Sequence, residues 1–268
     1  MYSHTSQRVT GSRGCFFQRL LWAAAIAVPA ALSAGHAWAA PVNVSAGTTP
    51  SSVPNAFLDM KTHEIQGVMP DVIRAIGKRE GFDVSFDVIP FSALIQSVVS
   101  EKIDLIVAGM TPTPKREEVI DFSQPVAFFG KGIIVNASDK NNYRTIEDLK
   151  GTVVGAGLGE ETSDELMKLG IFKEVKLYTT GADMSRDVAL GRITAAFNDY
   201  PVWKAQEAAG TLQGCRVVDG FTPLRKVPIA FGVKKGNAAL LAKINDGLAK
   251  IKADGTLDGI LKKWKFGG

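Results

Sequence analysis

Histidine and cysteine are scarce in this sequence: three histidines and two cysteines among 268 residues. His4, His36 and Cys15 lie within the first 39 residues, so the remainder has one histidine, His63, and one cysteine, Cys215. That excludes an intramolecular disulfide there, and any metal centre built on several His or Cys ligands. Cys215 lacks a second histidine to activate it and reads as a small, partly buried residue beside the Val217-Val218 strand. His63 sits in the polar stretch Lys61-Thr62-His63-Glu64 and reads as a solvated loop residue.

A strong charge of one sign is also missing. The chain has 31 basic and 27 acidic residues, and Arg8, Arg13 and Arg19 occupy an N-terminal segment that carries no acid. Loss of that segment leaves 28 basic against 27 acidic residues, a balance that gives no footing for nucleic acid. The cluster Lys262, Lys263 and Lys265 lies at the end of an amphipathic helix pattern, where cations complement the helix dipole. Long apolar runs are absent apart from Leu20–Leu32, which is too short to span a bilayer and is interrupted by Pro29. With arginines before it and Ala37-Trp38-Ala39 after it, this run reads as an export signal cleaved after Ala39. Cys15 precedes the apolar run, whereas a lipid-modified cysteine follows one, so a soluble periplasmic product is expected.

From Val42 onward, β-branched runs alternate with amphipathic stretches, the pattern of an α/β architecture. Val42–Val44, Val84–Val88 and Ile103–Val107 read as strands, separated by helical patterns at Pro70–Glu80 and Ser92–Ser100. The pattern restarts after Lys131, with strands at Gly132–Val135, Val153–Ala156 and Ala195–Phe197 and helices at Thr162–Leu169 and Met184–Leu190. Two modules fit this length better than one. The tail places Leu240, Leu241, Ile244, Leu248 and Ile251 on one helical face that stops before Gly255, and a second short helix runs over Thr256–Lys263.

The most informative segment is Asp104 to Arg116, continuing through Val119-Ile120-Asp121-Phe122-Ser123. A strand ends at Gly109, the chain turns through Pro112 and Pro114, and Arg116 stands at the carboxyl edge of a sheet, where open α/β sheets bind ligands. A guanidinium beside backbone N–H groups and a Thr hydroxyl can hold a carboxylate through charge-assisted hydrogen bonds.

The turn Gly109-Met110-Thr111-Pro112-Thr113-Pro114-Lys115-Arg116 and the stretch Asp121-Phe122-Ser123-Gln124-Pro125 resemble the family of periplasmic solute-binding proteins for amino acids that serve ABC importers. Gly67, Asn198-Asp199-Tyr200 and the stretch from Phe231 through Trp264 extend the likeness over nearly all of the chain after the export signal. The resemblance implies a two-lobed periplasmic-binding-protein fold of type II, each lobe a mostly parallel sheet flanked by helices, with two hinge strands crossing near Phe129 and Ile229. It places residues 1–39 in a cleaved signal peptide, 40–129 with 229–268 in the first lobe, and 130–228 in the second. It also implies that Arg116 takes the α-carboxylate of the ligand, assisted by Thr111 and the Gly109 backbone, that Asp199 takes the α-ammonium, and that Phe91 is a cleft aromatic. The expected partners are an amino acid or derivative and an inner-membrane ABC permease. The expected state is a monomer with no cofactor, no metal and no catalytic residue.

Two stretches depart from the family pattern. Val53-Pro54-Asn55-Ala56-Phe57 stands where relatives often carry stacking aromatics, leaving Phe57 as a stacking or core residue. Gly157-Leu158-Gly159-Glu160-Glu161-Thr162 replaces a G-T/S-T helix start. There Thr162-Ser163-Asp164-Glu165 reads as a capping box, and Glu160 or Glu161 alternatively charges the cleft and selects a cationic side chain or disfavours a second carboxylate. A second function on the same fold is that of the cyclohexadienyl dehydratases, for which Glu160, Glu161 or Asp199 would supply a general acid. A sensor module of a receptor would need a membrane span and an output domain, and no such segment is expected before the last residue, Gly268.

Overall fold

The computed structural model describes residues 42–223 and 225–266. The expected export signal, residues 1–39, lies outside the described residues. The first elements in chain order are β1 (Val42–Thr48), β2 (Ser51–Ser52), β3 (Ala56–Leu58), β4 (Ile65–Gln66), α1 (Val68–Glu80), β5 (Phe82–Val88), α2 (Leu94–Val99), β6 (Leu105–Met110), α3 (Pro114–Glu117), β7 (Ile120–Phe122) and β8 (Ala127–Asn136). There follow β9 (Val153–Gly157), α4 (Glu161–Leu169), β10 (Glu174–Tyr178), α5 (Gly181–Ala189), β11 (Ala195–Asp199), α6 (Tyr200–Ala208), β12 (Cys215–Val217), β13 (Lys226–Lys234), α7 (Ala238–Ala253) and α8 (Thr256–Lys263).

Strand order explains how one chain makes two lobes. The sheet path runs β10-β9-β11-β8-β13-β6-β1-β5. At one end β1 pairs in parallel with β5 and β6, and at the other β9 pairs in parallel with β10 and β11, the arrangement expected of βαβ units. The two long strands in the middle belong to both ends. β13 pairs with β8 over Lys226–Ile229 against Ala127–Gly130, then continues against β6 and β7. β8 continues from that ladder to pair with β11 and β12.

Each lobe buries its own apolar residues on both faces of its sheet. In the first, Val72, Ile73 and Ile76 of α1 and Ile244, Leu248 and Ile251 of α7 pack on Val44, Leu105, Phe231 and Val233, while Leu94 and Val98 of α2 cover the opposite face with Ile106 and Ile120. The carboxy-terminal helices therefore return to the first lobe, and Trp264 donates from Nε1 to Asp71 Oδ2 at 2.9 Å. In the second, Leu166 and Leu149 pack against Ile133 and Val154 on one face, and Met184, Val188 and Trp203 against Ile134 and Ala196 on the other. Phe57 meets the Trp264 ring edge-on at 5.6 Å, which makes it a packing residue. Cys215 lies half-buried in β12, with Sγ 3.2 Å from the Ser185 carbonyl oxygen.

The Asp121-Phe122-Ser123 stretch has a structural task of its own. Asp121 Oδ2 accepts from the Gly236 N–H at 2.8 Å, and Ser123 Oγ accepts from the buried Phe231 N–H at 3.1 Å while donating to the Gln124 carbonyl at 2.8 Å. Both residues fix β13 beside the segment that leads into β8. Ser123→Ala orphans part of that buried hydrogen bonding and is expected to cost about 1–3 kcal/mol in urea-unfolding stability.

Candidate functional site

A cavity of about 460 Å³ lies between the lobes. The first lobe contributes Thr49, Ser52, Asn55, Phe91, Gly109 and Thr111 to its wall, and the second Leu158, Glu160, Glu161, Tyr178, Asn198 and Asp199. Lys131 of β8, just past the shared ladder, lines it as well.

Local sequence rules build the first wall. Gly109 adopts φ 61 at the end of β6, a left-handed conformation that favours glycine, and its bare Cα faces the Asn55 side chain. Thr113 then caps α3, its Oγ1 accepting from the Arg116 N–H at 3.3 Å, with Pro114 in the first turn. This cap directs Arg116 inward. Its Nη1 donates to the Thr111 carbonyl at 2.6 Å and its Nη2 to the Gly159 carbonyl at 2.9 Å, so one guanidinium ties the two lobes together. The guanidinium carbon lies 5.6 Å from the centroid of Phe91. Arg116 is buried and touches wall residues without itself lining the cavity.

The second wall carries the acids. Asp199 ends β11 and occupies the N-cap position of α6, but its carboxylate makes no cap bond. Oδ1 accepts from Lys131 Nζ at 2.6 Å, and Oδ2 from Asn55 Nδ2 at 3.0 Å, across the cleft. Glu161 Oε1 lies 3.0 Å from the same Nζ, and its Oε2 is 3.9 Å from Arg116 Nη1. The result is a buried chain of alternating charge: Arg116, Glu161, Lys131, Asp199. Burial works against the Lys131 ammonium, but Asp199 and Glu161 outweigh it and raise its pKa, so the group stays charged. Glu161 is held below the ordinary carboxylate range: burial opposes ionisation, and Lys131 and Arg116 more than offset it.

The expected capping box at Thr162–Glu165 does not form. Helix α4 starts at Glu161, with Glu160 rather than Thr162 at the N-cap and no side-chain cap bond. Thr162 Oγ1 is consequently buried in the first turn without a partner, and Ser163 Oγ donates back to the Glu160 carbonyl at 2.6 Å. Both glutamates face the cavity instead.

The seven residues singled out from sequence thus converge on one cleft, six on its wall and Arg116 beside three of those six, Thr111, Phe91 and Glu161. Two residues not anticipated complete it, Lys131 and Asn55. A signal for Lys131 was present: a lysine between Gly130 and Gly132 in an otherwise apolar strand is costly unless acids await it. Lys131→Met would leave Asp199 and Glu161 buried without their cation, and a loss of about 3–5 kcal/mol in denaturant unfolding is expected.

The description "Bacterial extracellular solute-binding proteins, family 3" fits residues 44–268. The arginine-binding extracellular protein ArtP of Bacillus subtilis (strain 168) is 30% identical over 207 residues, spanning 76% of this chain and 79% of its own. The solved structure of an ancestral arginine-binding protein bound to arginine is similar at 33% identity and TM-score 0.75, over 85% of this chain and 100% of that one. An ancestral arginine-binding protein bound to glutamine matches at 32% identity and TM-score 0.76, over 84% and 98% respectively. All three are binding proteins, which sets the solute-binding reading above the dehydratase one. On its sequence, its two-lobed fold and its relatives, the chain belongs to family 3 of the bacterial extracellular solute-binding proteins.

Proposed function

We propose that the protein captures an amino acid in the periplasm and presents it to an inner-membrane ABC permease. The observation that carries this reading is the cavity between the lobes. Its volume of about 460 Å³ falls within the roughly 300–1,000 Å³ of small-molecule sites, and Asp199 and Lys131 stand on its wall. Thr49 Oγ1, Asn55 Oδ1 and Glu160 Oε2, all from wall residues, are buried without partners, as polar groups awaiting a ligand would be. Residues 1–39 act as the cleaved export signal. Residues 40–129 with 229–268 and residues 130–228 form lobes that close about the β8–β13 ladder, and the protein works as a monomer.

In this reading the α-ammonium takes Asp199, displacing Lys131, which keeps Glu161 as its partner. The α-carboxylate takes Lys131 together with Arg116 N–H groups not already given to Thr111 and Gly159, with Thr111 and Gly109 beside it and Phe91 against the ligand. Asp199 on one lobe and Arg116 on the other favour the closed state, because only closure offers both partners to a zwitterion. Micromolar affinity would correspond to about −8 kcal/mol, within reach of two charge-assisted contacts after ordering costs.

Isothermal titration with the twenty amino acids tests this. At least one is expected to bind, and Asp199→Asn and Arg116→Ala are each expected to weaken it by at least about tenfold, equivalent to about 1.4 kcal/mol. Undiminished affinity in both variants would remove the zwitterion clamp.

A further inference from the structure

Four charged side chains line the cavity: Lys131, Glu160, Glu161 and Asp199. Three acids therefore face one base. Lys131 Nζ is shared between Asp199 at 2.6 Å and Glu161 at 3.0 Å, Asp199 is also served by Asn55, and Glu161 by Arg116. Glu160 receives nothing: its Oε2 is buried and has no hydrogen-bond partner. Yet the fold makes room for it. Gly157 ends β9 directly beneath the Glu160 side chain, and a Cβ at residue 157 would overlap the carboxylate. A glycine there cradles a carboxyl group that the protein leaves without a hydrogen-bond partner.

We propose that Glu160 is the receptor for a cationic ligand side chain and that it surrenders a proton to solvent as that cation arrives. The inference rests on the amino-acid-binding reading and narrows it to ligands with a second positive charge. The chemistry balances simply: a neutral carboxyl and a free cation become a carboxylate–cation pair plus one released proton. Without a cation, an unpaired carboxyl withdrawn from water beside two carboxylates holds its proton. The groups facing it are Lys131 from β8, Asp199 from β11, Glu161 from α4 and Arg116 from α3; Tyr178 of β10, also on the wall, donates its hydroxyl to Asp187. Burial pushes Glu160 up, Lys131 and Arg116 oppose it, Asp199 and Glu161 add to it, and the balance stands at about 7. Both protonation states are therefore within reach of ordinary periplasmic conditions.

The sign of the pH dependence follows. Below about pH 7 a cationic ligand must expel the proton, so its affinity weakens about tenfold for each further unit of acidity, and above that pH it levels off. A neutral ligand of the same shape needs no expulsion.

L-arginine and its neutral isostere L-citrulline provide the test, by titration calorimetry of the full protein at pH 6 and pH 8 in buffers of different ionisation enthalpy. Arginine binding is expected to release close to one proton at pH 6 and little at pH 8, and to tighten about tenfold between them. Citrulline is expected to release none. Glu160→Gln is expected to abolish both the proton release and the pH dependence of arginine binding. Arginine and citrulline bound equally, without proton release, would overturn this inference while leaving the amino-acid reading intact. Proton release that persists in Glu160→Gln would reassign it to another group and overturn the inference too. Failure of the wild-type protein to bind either ligand or any other amino acid would instead overturn the amino-acid reading, and this inference with it.

Discussion

The organising constraint of this molecule is the Lys131 ammonium, buried between the Asp199 and Glu161 carboxylates. None of the three could be tolerated there alone, since an unpaired buried charge costs several kcal/mol. Together they let a cleft between two apolar lobes hold ions away from water. Their contacts also fix where the lobes meet. Asn55 reaches Asp199 from the opposite wall, and Arg116 reaches Gly159 and Glu161, so the network joins β8, β11, α3 and the start of α4 in one place.

That place is set by topology. β8 passes from the shared ladder into the second lobe, and Lys131 is its first residue beyond the ladder with β13. β11 pairs antiparallel with it, Asp199 opposite Lys131 in register, which puts ammonium and carboxylate side by side without any loop to position them. Ser123 and Asp121 hold β13 in the neighbouring register, so the residues that define the family's second motif act on the scaffold while those of the first act at the cleft. A binding site on strands and helix starts is stiffer than one on loops.

Much of this was legible in the sequence, for identifiable reasons. Helices α1, α7 and α8 announced themselves through apolar spacing and flanking glycines, and the Gly109–Arg116 turn carries its cap, its proline and its left-handed glycine in plain view. Short elements did not. β10 is half exposed and carries Lys176 between Val175 and Leu177, and α6 begins at Tyr200-Pro201 directly after a strand. The capping box at Thr162 failed because a Thr-x-x-Glu spacing specifies a cap only if the helix starts there, and the N-cap falls two residues sooner, at Glu160. Lys131 did carry a local signal, a lone lysine in an apolar strand, but its partners come from elements tens of residues away, and no local pattern says which acids they are. Asn55 likewise gains its meaning only from Asp199, 144 positions later.

A cleft in which Arg116, Glu161, Lys131 and Asp199 are already paired among themselves can bind a zwitterion there only by exchanging partners. The measurement that tests this most directly is a crystal structure of the protein with L-arginine. It is predicted to show the ligand α-ammonium on Asp199, Lys131 withdrawn to Glu161 and the ligand carboxylate, and the guanidinium beside Glu160. A structure in which arginine occupies the cleft while Lys131 remains on Asp199 and no ligand cation approaches either acid would contradict it.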